Sequence, residues 1–223
     1  MTVVPKRWWW VRHAPVAGAD GRLYGQLDVA CETGDGDAFR ALAAALPREA
    51  AWFVSPLRRT QQTLAAIGAL RASPVPTARV EPAFAEQHFG RWQGRSWPEM
   101  QAADPALYEA FWRNPTRTAP PGGESFLAQM RRTERAITRL SATTAETDLV
   151  CIAHAGTIRS AVALALNLTP ETALALVIDN LSITRLEFVA DGLLHSHGGS
   201  WRVRTVNQPG RGLADWSSAR PAC

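Results

Sequence analysis

Three times along this chain a short apolar run stops at a polar turn. Arg7 to Arg12 runs into His13-Ala14-Pro15. Ala51 to Val54 runs into Ser55-Pro56 and then a helix-spaced pattern from Leu57 to Leu70. Leu149 to Ala153 runs into His154-Ala155-Gly156 and then a helical pattern from Thr157 to Leu168. Short apolar runs that alternate with helices predict an α/β fold: a mostly parallel central sheet with helices on both faces. Ser55 is placed to cap the second helix, with Pro56 at its first position. A further helix is expected from Asp37 to Leu46, entered through Gly34-Asp35-Gly36 and closed before Pro47. Ser182 to Val189 alternates like a strand, Asp191-Gly192 signals a turn, and Trp201 to Val206 returns as an antiparallel edge strand. Trp8-Trp9-Trp10 fits a buried strand, since aromatics suit a pleated, half-buried surface. Residues 82–123, richer in Trp, Pro and Gln, read as a small cap insertion. Within it one helical pattern runs from Trp97 to Arg113 and is closed by Asn114-Pro115. The expected organisation is a single α/β domain over residues 1–208 and an irregular tail over 209–223.

Several function classes are disfavoured by composition. With 223 residues, 46% hydrophobic and 20% charged, the chain is neither disordered nor too small for a core. Cys31, Cys151 and Cys223 are odd in number and widely spaced, so a zinc ribbon, a CxxC redox site and a disulfide framework are not expected. A reducing, cytoplasmic setting follows. The apolar opening stops at Arg12, so no targeting segment is expected. The longest apolar stretch, Ala161 to Ile178, is interrupted by Asn167, Thr169, Pro170, Glu171 and Thr172, and does not fit a membrane span. Lys6 is the only lysine among 24 basic residues, which nearly excludes a Schiff-base lysine. A net charge of +4 over the whole chain is a weak nucleic-acid signal.

In open parallel sheets, ligands bind at the carboxyl ends of the strands. Two of the three turns there carry a histidine, His13 and His154. The third carries Arg58 and Arg59, and Arg12 precedes His13. The helix N-termini after Ser55 and Gly156 add backbone N–H groups and positive dipole ends. Together these make an anion pocket for which phosphate is the natural ligand. His195-Ser196-His197 has no further ligands nearby and is not read as a metal site.

Val11-Arg12-His13-Ala14-Pro15 resembles the RHG-type signature of the histidine phosphatase superfamily, the phosphoglycerate-mutase-like proteins. Ser55-Pro56-Leu57-Arg58-Arg59-Thr60-Gln61-Gln62-Thr63 is similar to the second motif. Ala85-Glu86-Gln87-His88-Phe89-Gly90-Arg91-Trp92-Gln93-Gly94 is similar to the third. Pro121-Gly122-Gly123-Glu124-Ser125 resembles the family's loop before a helix, and the stretch from Ile152 to Arg159 resembles its second histidine segment. The five run in family order. The resemblance implies a phosphohistidine mechanism with His13 as nucleophile, its other ring nitrogen donating to a backbone carbonyl. It makes Arg12, Arg59 and His154 the phosphate ligands, Glu86 the proton donor and then the base, and His154 part of the catalytic set. Arg58, His88, Glu124 and Arg159 stand at most behind these. No metal and no cofactor are implied.

Departures from the family narrow the activity. Ala14 and Ala155 replace glycines but stay small. Ala19 stands where the mutases carry a phosphate-binding asparagine. Gln87, Phe89 and Trp97 replace the mutase arginine, tyrosine and lysine that hold the glycerate carboxylate. The pattern therefore points to hydrolysis of a phosphomonoester. A cofactor-primed phosphomutase and a non-catalytic phospho-ligand module are the alternatives, the latter disfavoured by an intact His13 and Glu86. Leu23 to Val29 resembles the corresponding stretch of α-ribazole phosphatases of cobalamin synthesis. Tyr24, Phe89, Trp92 and Trp97 are candidate rim residues for a flat group, or else packing for the cap. The expected partner is a small-molecule phosphate ester, with neither nucleic acid nor membrane, and a homodimer is left open.

Overall fold

A computed structural model describes residues 4–18, 21–189 and 200–210. The tail beyond 210, Asp191-Gly192, His195, His197, Ala19 and Cys223 lie outside the described residues. In chain order the elements are β1 (Lys6–Arg12), β2 (Arg22–Leu23), α1 (Gly36–Ala45), β3 (Ala51–Val54), α2 (Arg58–Ala69) and β4 (Arg79–Val80). There follow β5 (Arg95–Ser96), α3 (Trp97–Ala103), α4 (Pro105–Arg113), α5 (Phe126–Thr143), β6 (Asp148–Ala153), α6 (Ala155–Leu166), α7 (Pro170–Leu174), β7 (Ser182–Val189) and β8 (Ser200–Pro209). The main sheet has the order β4-β3-β6-β1-β7-β8. The first four strands are parallel, and β7 and β8 add an antiparallel edge.

Period-two alternation explains the two cores. Trp8 and Trp10 of β1, Ala51 and Phe53 of β3, and Leu149 and Cys151 of β6 face α5 and α6. Val11, Trp52, Val54, Val150 and Ile152 face α1 and α2. Trp8 and Trp10 stack with ring centroids 5.1 Å apart, and Phe84 meets Trp10 edge-on at 5.1 Å. Such pairs add about 0.5–1.5 kcal/mol each beyond area burial. Cys31 and Cys151 are free and buried. Among the described residues no helix is long and apolar enough to cross a membrane.

Two expectations are corrected. The pattern from Trp97 to Arg113 forms two helices, because Pro105 lacks the N–H that a continuous helix needs. Asp104 ends α3 and caps α4, accepting from the Leu107 N–H at 3.0 Å. Ser55 does not cap α2, which begins at Arg58. Its first turn is capped across the chain by Asp28, whose carboxylate accepts from the Arg58 N–H at 2.6 Å. Helix α5 is capped by Ser125, whose hydroxyl accepts from the Ala128 N–H. Residues between Pro82 and Gly123 lie outside the main sheet. There Trp92, Met100 and Phe111 form a separate small core.

Candidate active site

The order β3-β6-β1 sets three strand ends side by side, which brings Ser55, His154 and His13 to one edge of the sheet. His13 continues β1, its N–H donating to the Ala153 carbonyl at 3.0 Å. Its ring is 1% exposed, and Nδ1 lies 2.7 Å from the carbonyl of Ala14. A carbonyl can only accept, so Nδ1 carries the proton and Nε2 presents a lone pair. Burial, reinforced by Arg59 and Arg12, pushes the imidazole down to about 3. His13 is therefore neutral at physiological pH. Asn180 holds the His13 carbonyl at 2.7 Å, and Thr63 accepts from the Ala14 N–H at 2.9 Å.

His154 lies with its ring centroid 5.1 Å from that of His13, and burial holds it well below the usual imidazole range. Its Nε2 is 2.7 Å from the Ser55 hydroxyl. That hydroxyl also accepts from the Leu57 N–H at 3.2 Å and lies 3.1 Å from the Thr60 hydroxyl. Nδ1 of His154 is buried and without a partner among the described residues. Ser55 thus orients His154. The sequence showed its position but suggested a different job.

Arg59 is fully buried. Its two terminal nitrogens donate to the carbonyls of Leu27 at 2.9 Å and Gly25 at 2.6 Å, and its guanidinium lies 5.1 Å from the centre of the Tyr24 ring. Burial lowers it, opposed by Glu86, Tyr24, Asp28 and Cys31, and an arginine still keeps its charge. Arg12 donates to the Ile178 carbonyl at 2.6 Å. Arg12 Nε and Arg59 Nε are both buried and have no partner among the described residues. Arg58 faces solvent.

Glu86 stands over the first turn of α6. Its Oε1 accepts from the Gln87 N–H and from Gln129 Nε2, both at 3.0 Å, and Oε2 lies 3.4 Å from the Gly156 N–H. Its backbone carbonyl is held by Gln26 at 2.8 Å and Arg132 at 3.0 Å. Arg132 also pairs with Glu124, which accepts from the His88 N–H at 3.0 Å. Glu124 and His88 therefore brace the loop that carries the acid. Gly90, at φ 55, and Gly123 pack backbone against backbone there. A Cβ on Gly90 would fall 2.1 Å from the Pro121 carbonyl oxygen. Arg159 donates to the Leu176 carbonyl at 2.8 Å.

The four candidate rim residues separate. Tyr24 lies against Arg59. Trp92 is 2% exposed, packed edge-on against Phe111 at 5.0 Å inside the cap core, and so is not a rim residue. Phe89 packs against the same core. Trp97 is exposed and lies against Trp112, at 5.3 Å. The apolar interior of the cap took the aromatic that the sequence had left between two roles. Among the described residues no group of three or more His, Cys, Asp or Glu side chains could hold a metal ion.

Comparison with known proteins adds to this geometry. The family model described as Histidine phosphatase superfamily (branch 1) matches residues 8–204. The bifunctional protein Rv2228c of Mycobacterium tuberculosis is 33% identical over 156 residues, covering 70% of this chain and 40% of that protein. The glucosyl-3-phosphoglycerate phosphatase of Mycolicibacterium vanbaalenii is 33% identical over 161 residues, covering 67% and 69% of the two chains. A structure of the mycobacterial glucosyl-3-phosphoglycerate phosphatase Rv2419c with VO3 superposes with a TM-score of 0.73 at 28% identity, over 91% of this chain and 99% of the other. The chain thus spans less than half the length of its bifunctional relative.

Proposed function

The chain belongs to the histidine phosphatase superfamily, branch 1, and from that membership we propose that it is a metal-independent phosphomonoester hydrolase acting on a small phosphorylated metabolite. One observation carries the reading. A neutral His13, its Nδ1 tied to the Ala14 carbonyl, lies beside His154 with ring centroids 5.1 Å apart and close enough to Arg59 and Arg12 for both cations to lower its imidazole. Arg12, Arg59 and His154 suit the non-bridging oxygens of a phosphoryl group. His13 Nε2 attacks phosphorus in line, the P–O bond to the leaving group breaks, and protonated Glu86 gives its proton to the departing alkoxide. Glu86, now ionised, takes a proton from water as that water attacks phosphohistidine. The N–P bond breaks, phosphate leaves, and the acid is restored. Arg12, Arg59 and His154 stabilise the charge on phosphorus in both steps.

Hydrolysis is favoured over mutation by the mutase positions. The Gln87 amide donates to the Glu124 carbonyl at 2.9 Å, Phe89 packs into the cap, and Trp97 lies against Trp112, so none of these three positions supplies a cation for a glycerate carboxylate. In this reading residues 1–208 act as one unit, with 82–123 as the cap that supplies Glu86. The substrate is a small phosphate ester. Phosphorylated sugar acids, suggested by the relatives, and nucleotide-like esters, suggested by the stretch from Leu23 to Val29, are the first to screen. A cytoplasmic setting fits free, buried Cys31 and Cys151.

Phosphate release from a panel of esters tests the reading. Activity is expected to be indifferent to EDTA and inhibited by vanadate, which mimics five-coordinate phosphorus. A strict need for Mg²⁺ or Zn²⁺ would overturn it. The two neighbouring arginines give a second test. Arg59→Ala should cost roughly 10²–10³ in kcat, the scale for one preorganised charge-stabilising donor. Arg58→Ala should cost far less, because that side chain faces solvent. The reverse order would show that phosphate is held elsewhere.

A further inference from the structure

Gln129 sits on the buried face of α5 with no exposed surface, yet none of the steps above uses it. Its Nε2 donates to Oε1 of Glu86 at 3.0 Å, and the Gln87 N–H donates to the same oxygen at 3.0 Å. Two donors occupy both acceptor directions of that oxygen. Among the described residues Oε2 has only the Gly156 N–H, at 3.4 Å. A carboxylic acid accepts at its carbonyl oxygen and donates from its hydroxyl, so a proton on Oε1 would point at two N–H groups.

We propose that Gln129 is a positioning residue for the acid: its amide keeps Oε1 of Glu86 a hydrogen-bond acceptor in both protonation states, so that the transferable proton sits on Oε2. This rests on Glu86 being the acid of the proposed hydrolysis. Two further features support it. Gln129 Oε1 is buried with no partner among the described residues, a destabilising arrangement. Turning the amide over would satisfy nothing in the ionised state, because it would set oxygen against carboxylate oxygen. Gly156 makes the room: a Cβ there would fall 2.4 Å from Glu86 Oε1 and 2.6 Å from Gln129 Oε1. The charged groups around the acid are Arg59 from α2, Arg159 from α6, and Arg132 from α5 with its partner Glu124. His13 and His154 at the strand ends are neutral. None of these donates to Oε1, so Gln129 is the side chain that distinguishes the two oxygens.

The test is Gln129→Met, which keeps the length and removes the donor, with thermal unfolding as the check on folding. The pH dependence of kcat/KM is read for an alkyl phosphate and for p-nitrophenyl phosphate, in the wild-type and Glu86→Gln backgrounds. The alkyl ester should lose roughly 10-fold, a fraction of the ~10²–10⁴ that a positioned acid supplies, and the nitrophenyl ester clearly less. The alkaline limb should move to higher pH, since the ionised acid loses a donor. In the Glu86→Gln background Gln129→Met should add no further leaving-group discrimination. Equal losses for both esters, an undiminished effect without the acid, or no loss at all would overturn the proposal. If Glu86→Gln itself fails to discriminate between the esters, the acid assignment falls first and this inference with it. Should Gln129→Met not fold, Gln129→Glu reads the same feature. A second carboxyl there competes for the proton, so the alkyl ester should lose rate and the alkaline limb should rise.

Discussion

His13→Ala is expected to reduce phosphate release to background, a loss on the order of 10⁶, the scale for removing a nucleophile from a covalent site. The imidazole is the group placed to form the N–P bond, with Nδ1 tied to the Ala14 carbonyl and Nε2 left as the free lone pair. Its pKa of about 3 means that almost every molecule is ready to attack at neutral pH. Phosphate should still bind weakly to the variant by calorimetry, because Arg12, Arg59 and His154 keep their own anchors in Ile178, Leu27, Gly25 and Ser55. Retained turnover in a protein confirmed by mass to lack His13 would end the covalent mechanism.

Glu86→Gln should hurt substrates in proportion to the basicity of their leaving group. An alkyl phosphate departs as a strongly basic alkoxide and needs a proton in the transition state, so its kcat/KM should fall by about 10²–10⁴. p-Nitrophenyl phosphate departs as a weakly basic phenolate and should lose clearly less while phosphorylation is the slow step. If hydrolysis of the intermediate is slow instead, kcat falls alike for both esters and phosphohistidine accumulates, which acid-labile labelling of His13 would detect, while kcat/KM, which reads only the steps up to leaving-group departure, still separates them. Equal losses in kcat/KM would remove Glu86 from the role. His88 and Glu124 would then be the residues to test.

Legibility in the sequence followed periodicity and punctuation. Strands β1, β3, β6 and β7 were readable because each is an apolar or alternating run bounded by polar turns, and β7 matches Ser182–Val189 at both ends. The split at Pro105 is hidden in the sequence because the apolar spacing continues across it. Helix α5 is hard to read in the sequence, since its buried stripe includes the polar side chains Gln129 and Thr133, which weaken the apolar pattern. In the site, His13, Arg12, Arg59, His154 and Glu86 were legible as short motifs. The roles of Ser55, Gln26, Asn180 and Gln129 were not, because each acts on a residue at least 43 positions away. No local spacing encodes such a contact. Trp92 shows the converse: an aromatic in a functional motif that the structure spends on packing.

The groups clustered at His13 also tie the fold to its ligand in one equilibrium. Arg59 and His154 are fully buried, Arg12 is half-buried, and both guanidinium groups lie close enough to lower the His13 imidazole. An anion that satisfies them binds the native chain and not the unfolded one. It therefore deepens the native basin by RT ln(1 + [L]/Kd), about 2.7 kcal/mol at a hundredfold excess over Kd. Inorganic phosphate, the product of the proposed reaction, is such an anion. Its concentration would set how firmly the protein is folded as well as how much of the site is free for substrate.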